Sequence, residues 1–202
     1  MSYRAPVSEI AFTLRDVAGF GEILDEGLFP DLSEDLVGHI LEEAGRFATE
    51  ELAQADEAAD AEPPRIVEGG VATSEALRTV YRRWVDNGWS ALTGDPAYDG
   101  QGLPQSIATA VNEMWNQANV AFAISPLLSM GAIEALQAHA DQHLKTTYLP
   151  KLISGEWTGT MNLTEPQAGS DLNGIRTRAE PAGDGTYRIF GQKIYITYGD
   201  HD

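Results

Sequence analysis

Between residues 36 and 52 an apolar position returns every three or four residues: Leu36, Val37, Ile40, Leu41, Ala44, Phe47, Ala48 and Leu52. That spacing predicts one long helix with an apolar face and an acidic outer face. Ser33 stands at the N-cap position, and Glu34 and Asp35 fill the first turn, where negative charge suits the helix dipole. Upstream, "EILDEGLF" predicts a short helix ending before Pro30, and residues 10–14 predict a short extended segment or strand. Downstream, "ADEAADAEPPR" is acidic, of low complexity and closed by a Pro pair, so it predicts a loop that Gly69 and Gly70 continue. Leu77, Val80, Tyr81 and Trp84 share one face of a helix over residues 74–85. "TGDPAYDGQGLP" (residues 93–104) predicts a second long loop, followed by helices at 105–124, 127–139 and 142–154. Pro126 sets the first break, and Asp141 caps the last helix.

After Trp157 the period changes. The segments become short, rich in Thr, Tyr and Ile, and separated by Gly. Residues 159–163 predict a strand, and "GIRTRAEP", "TYRIF" and "KIYITY" predict three more, with "AGDG" (residues 182–185) as one of the turns. The pattern therefore predicts a mainly α chain: an all-α domain over 1–157, then the start of a β-domain over 158–202, with no internal repeat.

Composition narrows the function classes. The 202 residues carry 31 acidic against 13 basic side chains, a net charge of −18. Phosphate contacts need clustered Lys and Arg, so this balance argues against a nucleic-acid surface and against docking on an anionic membrane. The charge reads as solvated acidic faces. The chain has no Cys, which excludes disulfides, thiolate nucleophiles and Cys-based metal sites and fits a cytoplasmic protein. "MSYRAPVSEIAF" lacks the basic-then-apolar order of a signal peptide. The most apolar window, "ANVAFAISPLLSMGAIEAL", is interrupted by Pro126 and carries Glu134, so it predicts two buried helix segments and no membrane span.

Most candidate chemistry dissolves on inspection. Gly100-x-Gly102 lacks a third Gly and a preceding strand, so it reads as a plain loop. His139 and His143 have the spacing of two metal ligands on one helix, but a helix start at Asp141 separates them, and no third ligand is near. Ser90 has no accompanying His and carboxylate. Met114, Trp115, Phe122 and Met130 read as core. What remains is "MNLTEPQAGSDLNG" (residues 161–174), polar and turn-rich between apolar runs. Thr164, Glu165 and Pro166 turn the chain, Ala168 and Gly169 permit close approach, and Thr164 and Ser170 offer hydroxyls. Backbone N–H groups of such a turn could serve a planar polar ligand. A turn in which Ser170 and Asp171 satisfy their own backbone would use the same residues, and the pattern alone leaves both readings open.

"LTEPQAGSD" (residues 163–171) followed by "GQKIYIT" (residues 191–197) resembles the flavin-binding signature of the acyl-CoA dehydrogenases. "YLPKLISGEWTGTMNLTEP" resembles that family's passage from helical domain to middle β-domain, and "DPAYDGQGLP" its loop before a buried helix, with Asp99 where Gly is usual. The lead-in "YRAPVSEIAF", the long N-terminal helices and "GDHD" are similar to the N-terminally extended branch that includes the 3-methylmercaptopropionyl-CoA dehydrogenases. The resemblance covers essentially the whole chain.

It implies an N-terminal helical domain followed by an incomplete β-barrel middle domain, with the C-terminal helical domain absent. It implies FAD as cofactor, with Met161, Leu163 and Thr164 on the flavin's pyrimidine side. Tyr195, where the family often has Trp, would pack on the ring, and Thr197 would reach its N5 and O4 region. Met161 itself replaces a residue that is often aromatic. Ser170 matches a contact to the CoA pantetheine. The implied reaction is α,β-dehydrogenation of an acyl-CoA substrate, with an electron-transferring flavoprotein as acceptor and a homo-oligomer at full length. The family's Glu base lies in the C-terminal domain, so the resemblance implies an N-terminal part that has no catalytic residue of its own and is inactive alone. A flavin oxidase or monooxygenase of the same fold, or a non-catalytic binding protein, are the alternatives.

Overall fold

The structure is a computed structural model and describes residues 3–201. The first helix, α1 (Val7–Phe12), passes into a wide π-turn over Thr13–Val17 where an extended segment was expected. Ile10 and Leu14 lie one turn apart and are both buried, so helical period is what lets this segment cover the core. Helix α2 (Phe20–Asp25) follows. Helix α3 (Glu34–Phe47) starts as expected, with Ser33 Oγ accepting the Leu36 N–H at 3.2 Å. A π-turn over Ala48–Leu52 then leads into α4 (Ala53–Ala61). The acidic stretch taken for a loop is thus helical to Ala61, because Ala and Glu are strong helix formers and the Pro pair comes only afterwards. α1 approaches α3 so closely that a side chain at Gly45 would collide with Val7.

Strands β1 (Arg65–Val67) and β2 (Gly70–Ala72) form an antiparallel hairpin where irregular chain was expected. Helix α5 (Glu75–Asp86) is capped by Ser74. The loop before α6 (Gln105–Ala118) satisfies itself through Gln101 N to Ala91 O, Gly102 N to Gly94 O and Leu103 N to Leu92 O, at 2.8, 2.9 and 2.8 Å. A side chain at Gly100 would overlap the Gly94 backbone, so close chain approach accounts for this glycine without a phosphate.

Helix α7 (Val120–His139) is continuous through Pro126, and the break expected there falls instead at Asn119. Asn119 is 2% exposed. Its Oδ1 accepts the Phe122 N–H at 2.9 Å and its Nδ2 donates to Leu52 O at 3.2 Å. α7 is one helix long and apolar enough to cross a membrane by length and composition alone. Phe122, Ala123, Ser125, Pro126, Ser129 and Ile133 of α7 are buried. Asp141 caps α8 (Gln142–Ile153), as expected, which leaves His139 and His143 on different helices.

The main core gathers α3, the second π-turn, α5, α6 and the start of α7, with Leu41, Leu52, Ile107, Val111 and Met114 all but inaccessible to water. Trp115 is its centre, edge-on to Trp89 at 5.5 Å and to Trp84 at 6.0 Å. A smaller cluster of Ala91, Ile133, Leu149, Leu152 and Ile153 joins α7 to α8.

The described residues divide into two compact units, one running to Gly159 with Asp200 and His201, the other Thr160–Gly199. In the second unit β3 (Arg178–Pro181) pairs antiparallel with β4 (Tyr187–Phe190), Arg178 opposite Phe190, and the Arg178 guanidinium lies 4.9 Å from that ring's centre. The strands expected at residues 159–163 and at "KIYITY" do not form ladders. Tyr195 and Tyr198 sit at φ 56° and 51°, which breaks extended geometry in the latter segment.

Candidate functional site

The stretch from Thr164 to Gly174 is organised around one side chain. Glu165 and Ala168 exchange backbone hydrogen bonds at 2.9 and 3.0 Å across Pro166 and Gln167, which makes the turn. Asp171 Oδ1 accepts the Asn173 N–H at 3.1 Å and so caps the next turn, Leu172–Gly174. Glu165 is 3% exposed, an unusual place for a carboxylate. Both its oxygens are filled. Oε2 accepts the Arg176 N–H at 2.8 Å and Gln167 Nε2 at 2.6 Å; Oε1 accepts the Thr177 N–H at 3.0 Å and Lys193 Nζ at 2.9 Å. The adjacent Thr177 hydroxyl, the Arg176 N–H, the Lys193 ammonium and the Thr177 N–H hold its carboxyl well below the usual carboxylate range. The Thr177 Oγ1 itself is buried and makes no bond of normal geometry.

Residues 160–165 and 193–197 lie side by side. Lys193 Nζ also donates to Leu163 O at 2.9 Å, Ile194 N to Thr164 O at 3.0 Å, and Thr160 Oγ1 to Thr197 O at 2.7 Å. Two stretches some 30 residues apart, which carry Met161, Leu163 and Thr164 on one side and Tyr195 and Thr197 on the other, are thereby brought together. Met161 is 63% exposed and Tyr195 88% exposed. Leu163, Thr197 and Ser170 are exposed too, and Thr164 is half-buried. Among the described residues, the N–H groups of Leu163, Thr164, Tyr195 and Thr197 find no acceptor within the chain. A left-handed backbone costs a Tyr about 1–3 kcal/mol, and a ring this exposed recovers none of it by packing within the chain. Ser170 is held by none of the bonds that join the two segments. Glu165 and Lys193 escaped the sequence reading as site residues. Both stand inside the quoted motifs, but nothing local signals that a Glu five residues before Ser170 will be buried.

The sequence profile of the acyl-CoA dehydrogenase N-terminal domain matches residues 38–156. The chain belongs to the acyl-CoA dehydrogenase family. Over its whole length it is 42% identical to the 3-methylmercaptopropionyl-CoA dehydrogenase of Ruegeria pomeroyi, of which it covers 34%. In fold it is similar to the butyryl-CoA dehydrogenase of Megasphaera elsdenii, with a TM-score of 0.68 at 24% identity over 84% of this chain and 42% of that one. It is also similar to an acyl-CoA dehydrogenase complexed with FAD from Bacillus anthracis, with a TM-score of 0.62 at 22% identity over 83% and 27% of the two chains. The chain spans about a third of the length of the curated relatives it matches. The matched domain begins inside α3 and ends just after α8, so the paired segments 160–165 and 193–197 lie beyond it.

Proposed function

We propose that the chain supplies the flavin-facing surface of an enzyme that removes the α- and β-hydrogens of an acyl-CoA thioester to give a 2-enoyl-CoA. The observation that carries this reading is the pairing of residues 160–165 with 193–197 in one exposed surface. That surface fits a flavin by the chemistry of its donors: unclaimed N–H groups at Leu163, Thr164, Tyr195 and Thr197, two Thr hydroxyls, and a flat exposed ring at Tyr195. FAD, when bound, supplies a two-electron acceptor for the hydrogen leaving the β-carbon. The residues orient it. Leu163 and Thr164 offer N–H donors and a hydroxyl to its pyrimidine edge beside Met161, Tyr195 gives a wall along the ring, and Thr197 a second hydroxyl. Ser170 is assigned to the CoA moiety.

No catalytic base is assigned to this chain. Glu165 is the only carboxylate buried among the described residues, and its four hydrogen bonds and lowered proton affinity make it unfit to take a proton. Taken alone the chain is therefore expected to give no turnover. The 42% identity over the whole chain makes a 3-methylmercaptopropionyl-type thioester the first substrate to try. An electron-transferring flavoprotein as acceptor, self-association and a cytoplasmic setting belong to the same reading and rest on family likeness and the Cys-free composition.

FAD titration of the purified chain, followed by quenching of flavin fluorescence, tests the reading. Saturable binding is expected. Thr164→Val should weaken it by about one to two orders of magnitude, the effect of losing a hydrogen bond at a desolvated polar group. Ser170→Ala should leave FAD affinity unchanged. No saturable binding, or equal affinity in both variants, would count against the assignment.

A further inference from the structure

We propose that Glu165 is a positioning residue: through Lys193 it sets the register between the two segments that form the flavin-facing surface. The inference rests on the flavin reading above and adds residues that reading does not use. Glu165 stands at the centre of the second unit, with donors from four residues in three stretches of chain: Gln167, Arg176, Thr177 and Lys193. An ionised carboxylate has about four acceptor sites, so this one is filled. Lys193 then bridges outward, one ammonium shared between Glu165 Oε1 and Leu163 O, both at 2.9 Å. With Leu163 held at Lys193, Thr164 meets Ile194 and Thr160 meets Thr197, which runs the two segments antiparallel without a regular ladder.

The surroundings leave this task to a charge. Within Thr160–Gly199 the only other buried residue is Ala168, with Ile194 and Ile196 half-buried, so little apolar packing is available to set the register. A neutral amide would fail. Glu165→Gln replaces one oxygen by an NH2 group that would face two donors, and it removes the partner of Lys193. A shift between the segments would carry Tyr195 and Thr197 out of line with Leu163 and Thr164, which the bonds from Lys193 and Ile194 hold beside them.

The test uses the full chain in two measurements. Amide hydrogen exchange reads the strut without any flavin. In Glu165→Gln the Arg176, Thr177 and Ile194 amides should exchange at least about tenfold faster, as expected for lost charge-assisted bonds, while Val111 and Trp115 keep their rates. In Lys193→Met, Ile194 should accelerate and Arg176 and Thr177 much less. FAD titration then reads positioning. Glu165→Gln and Lys193→Met should weaken binding about tenfold or more, and Lys193→Arg, which keeps the cation, should restore most of it. Should Glu165→Gln fail to fold, the contrast between Lys193→Met and Lys193→Arg carries both measurements. Unchanged exchange at the three amides would overturn the strut. Faster exchange with unchanged FAD affinity would overturn its positioning role. If the parent chain binds no FAD, the flavin reading fails and the positioning role falls with it, while the exchange pattern still reports separately on the strut.

Discussion

In the helical unit, Leu41, Leu52, Ile107, Val111, Met114 and Trp115 are sealed from water, and nearly every buried side chain is apolar. In Thr160–Gly199 only Glu165 and Ala168 are buried, and the hairpin β3–β4 is exposed along both strands. The first unit is held by non-directional burial, which tolerates small shifts. The second is held by hydrogen bonds and one buried charge, which demand fixed geometry and give little cohesion. Directional bonds suit a surface whose donors must stand at set positions. It also means that the two units should fail in different ways.

The largest expected break is in the apolar unit. Trp115→Ala removes the centre of an aromatic cluster formed with Phe47, Trp84 and Trp89, and should cost about 3–5 kcal/mol. Urea denaturation followed by helical circular dichroism measures it. A loss under about 1 kcal/mol would place the core elsewhere.

Asn119→Ala is the next. It deletes the cap of α7 and the bond to Leu52 O together, for an expected loss of about 1–3 kcal/mol. The same denaturation curves read it, and a neutral outcome would return the start of α7 to Pro126.

Asp99→Gly should go the other way. Asp99 sits at φ 65°, so relief of the left-handed backbone should raise stability by about 0.5–1 kcal/mol. Asp99→Val should lower it. Thermal melts of the pair decide, and a shared sign would show that something other than backbone strain governs the loop.

The smallest change is expected from pH in the polar unit. The Glu165 carboxyl is depressed in the folded chain, so its contribution is in place above the unfolded Glu value of about 4.3 and is lost only as pH falls through the lower folded value. Protection factors at the Arg176 and Thr177 amides should therefore hold from pH 7 down to about pH 4. Loss of protection near pH 5 would mean that the carboxylate is not held as the geometry indicates.

Local chemistry made much of the fold legible. Ser33 and Asp141 cap helices because their side chains answer backbone N–H groups three residues on, a relation written within four residues of chain. The "AGDG" turn and its flanking strands follow for the same reason, with Ala182 N meeting Thr186 O at 2.9 Å. The two motifs carrying the candidate site were visible as well, though only as separate stretches.

Where a distant group decided the outcome, the residues were silent or misleading. Pro126 outweighed Asn119 in the pattern, yet Asn119 starts α7, with its other amide end bound to Leu52 O across 67 residues. "KIYITY" has strand composition, but positive φ at Tyr195 and Tyr198 takes it out of the ladder. By itself the sequence determined the helical periods, two of the caps and the acidic exterior, because each of these depends on neighbours in the chain. Only the tertiary structure decided that Glu165 is buried, that Lys193 shares its ammonium with Leu163 O, and that residues 160–165 and 193–197 meet. The burial of a charge depends on donors from several stretches converging on it, and no single stretch of sequence contains that convergence.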